Sequence, residues 1–400
     1  MVSIELLKQS LSRHCQKTIK ILGESKMKKV LLTAMALLTI ATASVFGMYG
    51  ADGNDWINFL VHGNQFRARM DQLGFTLGNG TIKGTLGFKA DGGWMGQILS
   101  GNNSGVQLDA TLSAGIGYTS DMFGIGVGYN FTYIDKYLQV HTPTLLLNAL
   151  NDSLRVAIPV QVAVADNAYG NGTKFTGVGF NQIELRYYTG IDAFNLIRLD
   201  LNYKNGTWEN NSSKSTVETF GMQLRLYFLN TQVGNVTVNP YIRIDYHQAL
   251  KGNYLGNDFS RDYLTIGDMY RNERGYALGE NQSQSDIYDV SPFYLSIKPV
   301  LSLAASSDTV SLYFEPAIGY AVASQKQKGA AQQTSHALTW AAYAEMYVTP
   351  VKDLEWYFEM DVNGNVTGKT GSVANVNLPP VLFETTTGIT WYLPSFGANE

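Results

Sequence analysis

Histidine is the first residue to consider for acid–base or hydrolytic chemistry, because the single cysteine, Cys15, can build neither a disulfide framework nor a cysteine zinc site. His62, His141, His247 and His336 are widely spaced, and no G-x-S-x-G nucleophile motif occurs. A Ser–His or Asp–His hydrolase site would have to assemble across strands. Asp245 stands two residues before His247 at a strand end, where a loop-edge histidine is the ordinary reading. Gly124, Gly126 and Gly128 resemble the start of a dinucleotide fingerprint, but Tyr129 follows and no helix does. Small residues on one face of a strand account for them better. Asp52, Asp55, Asp258 and Asp262 lack the spacing of a calcium loop. No catalytic residue, metal ligand or cofactor is therefore expected.

The remaining chemistry lies in charges spaced two apart. Glu184, Arg186, Arg198, Asp200, Arg225, Arg243, Asp245, Glu345, Glu355, Glu359 and Asp361 each alternate with apolar neighbours. Facing a common interior, they would set up a transverse field that orients permeating solutes. Equally, they would form internal ion pairs that fill a narrow lumen. Sequence leaves both readings open.

Such charges need strands to position them. Val106 to Tyr118 places Val106, Leu108, Ala110, Leu112, Ala114, Ile116 and Tyr118 on one face, with Gln107, Asp109, Thr111, Ser113, Gly115 and Gly117 on the other. After Thr119-Ser120-Asp121 the alternation resumes through 123–133. Similar segments fall near 65–77, 81–89, 176–188, 196–204, 216–229, 236–246, 292–304, 310–322, 335–348, 354–363 and 381–393, with a weaker first strand at 56–61. The apolar faces of the cleanest segments carry no Asp, Glu, Lys or Arg, as a lipid-facing surface requires. Forty glycines, 24 tyrosines and only 16% charged residues suit pleated strands better than a helical enzyme.

Short connections near 78–80, 120–121, 189–195, 230–235, 305–309 and 349–353 alternate with long ones near 90–105, 135–175, 205–215, 247–291, 323–334 and 364–380. The expected fold is a transmembrane antiparallel up-and-down β-barrel of about 14 strands, with 12 or 16 as alternatives. Leu154 to Ala165 alternates well, yet Pro159 argues against a central strand, so it is assigned to a structured outer loop. Pro299 and Pro316 predict a bulge or interruption. Tyr118, Phe123, Tyr187, Tyr188, Phe228, Tyr241, Phe293, Tyr347, Trp356, Trp391 and Tyr392, near strand ends, suit an interfacial girdle.

Residues 27–47, MKKVLLTAMALLTIATASVFG, have the basic, apolar and small-residue regions of a secretory signal peptide. Residues 1–26 are expected to be a mis-assigned extension, with translation starting at Met27 and the barrel occupying 48–400. Removing the leader and extension takes away seven basic and two acidic residues, moving the net charge from −4 to −9. That balance argues against nucleic-acid binding.

The leader MKKVLLTAMALLTIATASVFGMYG and the block WINFLVHGNQFRARMDQLGFTLGNGTIKGTLGF from Trp56 to Phe88 resemble the variable surface proteins of intestinal spirochaetes, the Serpulina/Brachyspira family. QFRARMDQLGF, from Gln65 to Phe75, is the most distinctive part. The resemblance implies an abundant surface antigen of the outer membrane, varied between strains and found in multimeric complexes, and it supplies no enzymatic residues. The expected role is a surface-exposed structural and host-facing protein. Its partners are outer-membrane lipid, the barrel-assembly machinery, copies of itself, and host molecules or antibodies. A diffusion porin of the same fold is the alternative, and an outer-membrane hydrolase a third.

Overall fold

The structure is a computed structural model that describes residues 56–61, 63–69, 72–91, 109–257, 264–273, 275–366, 372–373, 376–377 and 381–393. The signal peptide, the extension, and Asp52, Asp55, Asp258 and Asp262 lie outside the described residues. No described helix is long and apolar enough to cross a membrane.

β-Branched and aromatic residues at every second position drive the chain into long antiparallel strands. The principal ones are β1 (Gln65–Arg69), β2 (Gln72–Gly78), β3 (Ile82–Asp91), β4 (Asp109–Thr119), β5 (Phe123–Tyr133), β6 (Gln139–Ala149), β7 (Leu154–Ala168) and β8 (Thr173–Ile191). They continue with β9 (Phe194–Asn210), β10 (Ser213–Tyr227), β11 (Tyr241–Lys251), β12 (Tyr288–Val300), β13 (Val310–Gln327), β14 (Gln333–Val351), β15 (Leu354–Asn365) and β16 (Leu382–Leu393). Each pairs with the next, and four short strands complete a 20-stranded up-and-down sheet. β1 pairs antiparallel with both β2 and β16, Phe66 opposing Leu393 and Arg69 opposing Thr390. The ladder of pairings thus returns to its first strand.

Two connection sets separate by end. Tight turns at 79–81, 120–122, 150–153, 192–193, 307–309 and 352–353 share one end with 228–240, which holds a small hairpin. The other end carries 134–138, 169–172, 211–212, 328–332 and the described parts of the connection between Lys251 and Tyr288.

Several expectations are corrected. Trp56–Val61 is a turn, not a strand. Residues 65–77 form two strands that pair antiparallel, Arg69 opposing Gln72, and the apolar phase shifts from Phe66 and Ala68 to Leu73, Phe75 and Leu77 between them. The stretch 135–175 is no single loop: it contributes β6 and β7. Pro159 is tolerated because the β7–β8 register shifts between Ala157 and Val160, so its missing N–H falls at a bulge. Gln182, at φ 63°, forms the β8 side of that irregularity. Residues 205–215 and 323–334 are mostly strand, leaving only 211–212 and 328–332 as turns. At Pro299 and Pro316 the strand is interrupted between Val300 and Leu303 while the register is kept.

Burial is inverted relative to a soluble sandwich. Leu86, Ile116, Val127, Leu312, Leu338 and Ile389 are 45 to 57% exposed. Glu184, Arg186, Arg198, Asp200, Asp245 and Glu345 are at most 4% exposed. Four of the proposed girdle residues, Tyr118, Phe123, Trp356 and Trp391, are exposed on the apolar face, all at the tight-turn end. Tyr241 and Tyr347 instead belong to the buried face. Their positions share the phase of the charged residues, two places from Arg243 and Glu345.

Candidate functional site

The buried face of β7 to β12 is built from two adjacent cross-strand rows. In the first, Arg155 opposes Arg186, Arg186 opposes Arg198, Arg198 opposes Arg225, Arg225 opposes Arg243, and Arg243 opposes Lys298. Six cations on six successive strands repel one another, and directly opposed like charges destabilise a sheet. The second row, one inward position along, supplies the compensation: Glu184, Asp200, Gln223, Asp245 and Ser296 oppose one another in turn.

The side chains interlock across the rows. Arg186 Nε donates to Glu184 at 2.5 Å, while Arg198 Nε lies 3.0 Å from Glu184 and 3.1 Å from Asp200. Arg243 Nε reaches Asp245 at 3.0 Å, and Lys298 Nζ approaches the same carboxylate at 3.7 Å. Gln223 and Ser296 donate to Asp245 at 2.8 and 3.0 Å, and Arg225 Nε donates to Gln223 at 2.6 Å. Glu184 thus meets two guanidinium groups, Asp200 meets Arg198, and Asp245 meets Arg243, Lys298, Gln223 and Ser296, so each desolvated carboxylate has a cation beside it.

The second group of candidate charges sits apart on β14 and β15. Glu345 directly opposes Glu359. Tyrosine hydroxyls hold these acids: Tyr343 donates to Glu345, Tyr347 to Glu359 at 3.3 Å, and Tyr392 to Glu355 at 3.1 Å. Asn363 donates to Asp361 at 3.1 Å. The structure thus gathers Glu184, Arg186, Arg198, Asp200, Arg225, Arg243 and Asp245 into one belt and leaves Glu345, Glu355, Glu359 and Asp361 in another.

Sequence reasoning missed four parts of this face. Arg155 was hidden in a segment assigned to a loop. Lys298 shares the polar phase of its strand with Ser296 and could have been found by that alternation. Two covering segments were also missed. Trp56, Ile57, Phe59 and Leu60 pack with Leu146 and Ala157 on the buried face. Ile266, Met269 and Tyr270, from the connection 252–287, pack with Ala163, Ala165, Phe175 and Trp208. The signal available for both was an apolar cluster without period-two alternation.

The histidines occupy different surroundings. His141 and His336 lie on the exposed face, their Nδ1 atoms each 2.5 Å from a tyrosine hydroxyl, Tyr129 and Tyr320. His247 is buried on the opposite face beside Tyr294, and His62 is outside the described residues. Among the described residues no group of three or more His, Cys, Asp or Glu is arranged to hold a metal ion.

Fold and site together define a class: an antiparallel up-and-down β-sheet protein that exposes its large apolar side chains and buries its charged ones. The chain belongs to the Serpulina hyodysenteriae variable surface protein family, whose model matches residues 28–392. No curated protein matches it. Among solved structures it is similar to a bacterial polysaccharide outer membrane secretin, at 10% identity and a TM-score of 0.41, over 83% of this chain and 97% of that one. It is also similar to OmpT, an outer membrane protein of Vibrio cholerae, at 10% identity and a TM-score of 0.32, over 82% and 96%. The FrpB iron transporter of Neisseria meningitidis matches at 9% identity and a TM-score of 0.31, over 86% and 83%.

Proposed function

We propose that the protein is a surface-exposed outer-membrane β-barrel that closes through the β1–β16 pairing, with sixteen strands, and serves the cell envelope as a variable surface antigen with structural and host-facing roles. One observation carries this reading: ionised residues are buried while large apolar side chains are exposed. Only hydrocarbon stabilises such a surface, and only a closed sheet satisfies its backbone there. The tight turns then face the periplasm and the long connections face outside. Outer-membrane lipid, the assembly machinery, copies of the chain, and host molecules or antibodies are its proposed partners.

The diffusion-porin reading is kept because of one observation, the six-cation row, whose outer members Arg243 and Lys298 are less covered than Arg186 and Arg198. The covering segments on the same face favour a narrow lumen over a wide one. Protease treatment of intact cells tests the main reading. Cleavage confined to 92–108, 252–287 and 366–381 is expected; cleavage at 120–122 or 307–309 would contradict it.

A further inference from the structure

The segment Trp56–Val61 does more than cover part of the sheet: the strands beneath it are shaped to receive it. β4 and β5 turn five glycines toward it, Gly115, Gly117, Gly124, Gly126 and Gly128. A Cβ at Gly115 would come within 2.7 Å of the Trp56 ring, and one at Gly128 within 2.8 Å of the same ring. At Gly124 and Gly126 a Cβ would meet Leu60 at 3.2 and 3.0 Å, and at Gly117 it would collide with Leu60 outright. The two strands face each other in register here, Gly115 opposite Gly128 and Gly117 opposite Gly126. The result is a shelf free of side chains on the buried face.

The occupant matches the shelf. Trp56, Phe59 and Leu60 are at most 2% exposed, and Trp56 meets Phe59 edge-on at 5.6 Å between centroids. Two of its polar atoms are held from the wall: Lys83 Nζ donates to the Leu60 carbonyl at 2.5 Å, and Arg155 donates to Asn58 Oδ1 at 2.8 Å. Several glycines in a strand interior cost stability through backbone freedom and absent side-chain packing, so their presence calls for a compensating contact. The apolar segment is that contact.

We propose that this shelf is a docking socket for the chain's own Trp56–Leu60 segment, which acts as a tethered plug at the tight-turn end of the lumen and limits solute passage until it leaves. The proposal rests on the closed-barrel reading above. The plug is held by apolar burial and by the Lys83 and Arg155 hydrogen bonds, and its described residues belong to no strand, so it can undock without opening the β-ladder.

Three variants of the detergent-purified protein test it in planar bilayers and lipid vesicles. In L60C/G117C, oxidation is expected to consume both thiols and leave conductance no higher than wild type. In G117L the added side chain occupies the socket, and conductance severalfold above wild type is expected from a protein that still shows heat-dependent migration on gels. Reactive thiols persisting after oxidation in a folded barrel would overturn docking. Inserted G117L and wild type conducting equally would overturn the gating role, and should G117L fail to fold, equal conductance of oxidised and reduced L60C/G117C and of a W56A/F59A/L60A variant would do the same. Wild type that does not insert into vesicles at all would instead remove the barrel reading, and the plug with it.

Discussion

Glu184 lies between two guanidinium groups in the most enclosed part of the belt. Its neutralisation leaves Arg186 and Arg198, already opposed across the ladder, with a single carboxylate. Removing one partner of a buried ion pair typically costs about 3–5 kcal/mol. Glu184→Gln should destabilise the folded protein on that order in urea titrations from phospholipid vesicles. Glu209→Gln, exposed at the end of β9, should stay within about 0.5 kcal/mol of wild type. Equal effects would mean that the belt contributes no more than a surface charge. The opposite face gives the complementary case. Val127→Arg puts a cation where a large apolar side chain now meets the surroundings, and should cost about 2–4 kcal/mol if that position is near the bilayer midplane. An unchanged unfolding midpoint would place Val127 in water.

Most of the strands were legible because alternation is a local property: each residue's face follows from its parity, and parity is visible in the sequence. One error and one irregularity show as phase breaks. Phe66 and Ala68 run on even positions and Leu73 to Leu77 on odd ones, marking the change from β1 to β2. Val178 and Phe180 likewise give way to Ile183, Leu185 and Tyr187, marking the bulge at Gln182. Pro159 misled because a proline was weighed without the bulge that absorbs it. The belt charges were legible for the same reason as the strands, whereas the covering segments were not, since an inward fold is a tertiary event with no periodic trace. The corrected elements give a sharper topology. In intact cells a membrane-impermeant maleimide should label Asn211→Cys and Lys328→Cys and spare Asp121→Cys and Asp308→Cys. Labelling of the second pair alone would invert the orientation, and labelling of all four would remove the membrane barrier between the ends.

At the scale of the whole molecule, the sheet has two surfaces that only two different solvents can satisfy. The exposed one presents Leu, Ile, Val and Phe, bordered at the tight-turn end by Tyr118, Phe123, Trp356 and Trp391, the arrangement that suits hydrocarbon edged by headgroups. The buried one presents ion pairs, tyrosine–carboxylate bonds and two apolar segments seated on it. Everything rests on the exposed face meeting lipid. The most direct test is a single-cysteine fluorophore scan along β5, from Phe123 to Tyr133, in vesicles of brominated phospholipid. Quenching should alternate, strong at 125, 127, 129 and 131 and weak at the even positions between them. Uniformly weak quenching, or strong quenching at the even positions, would contradict it.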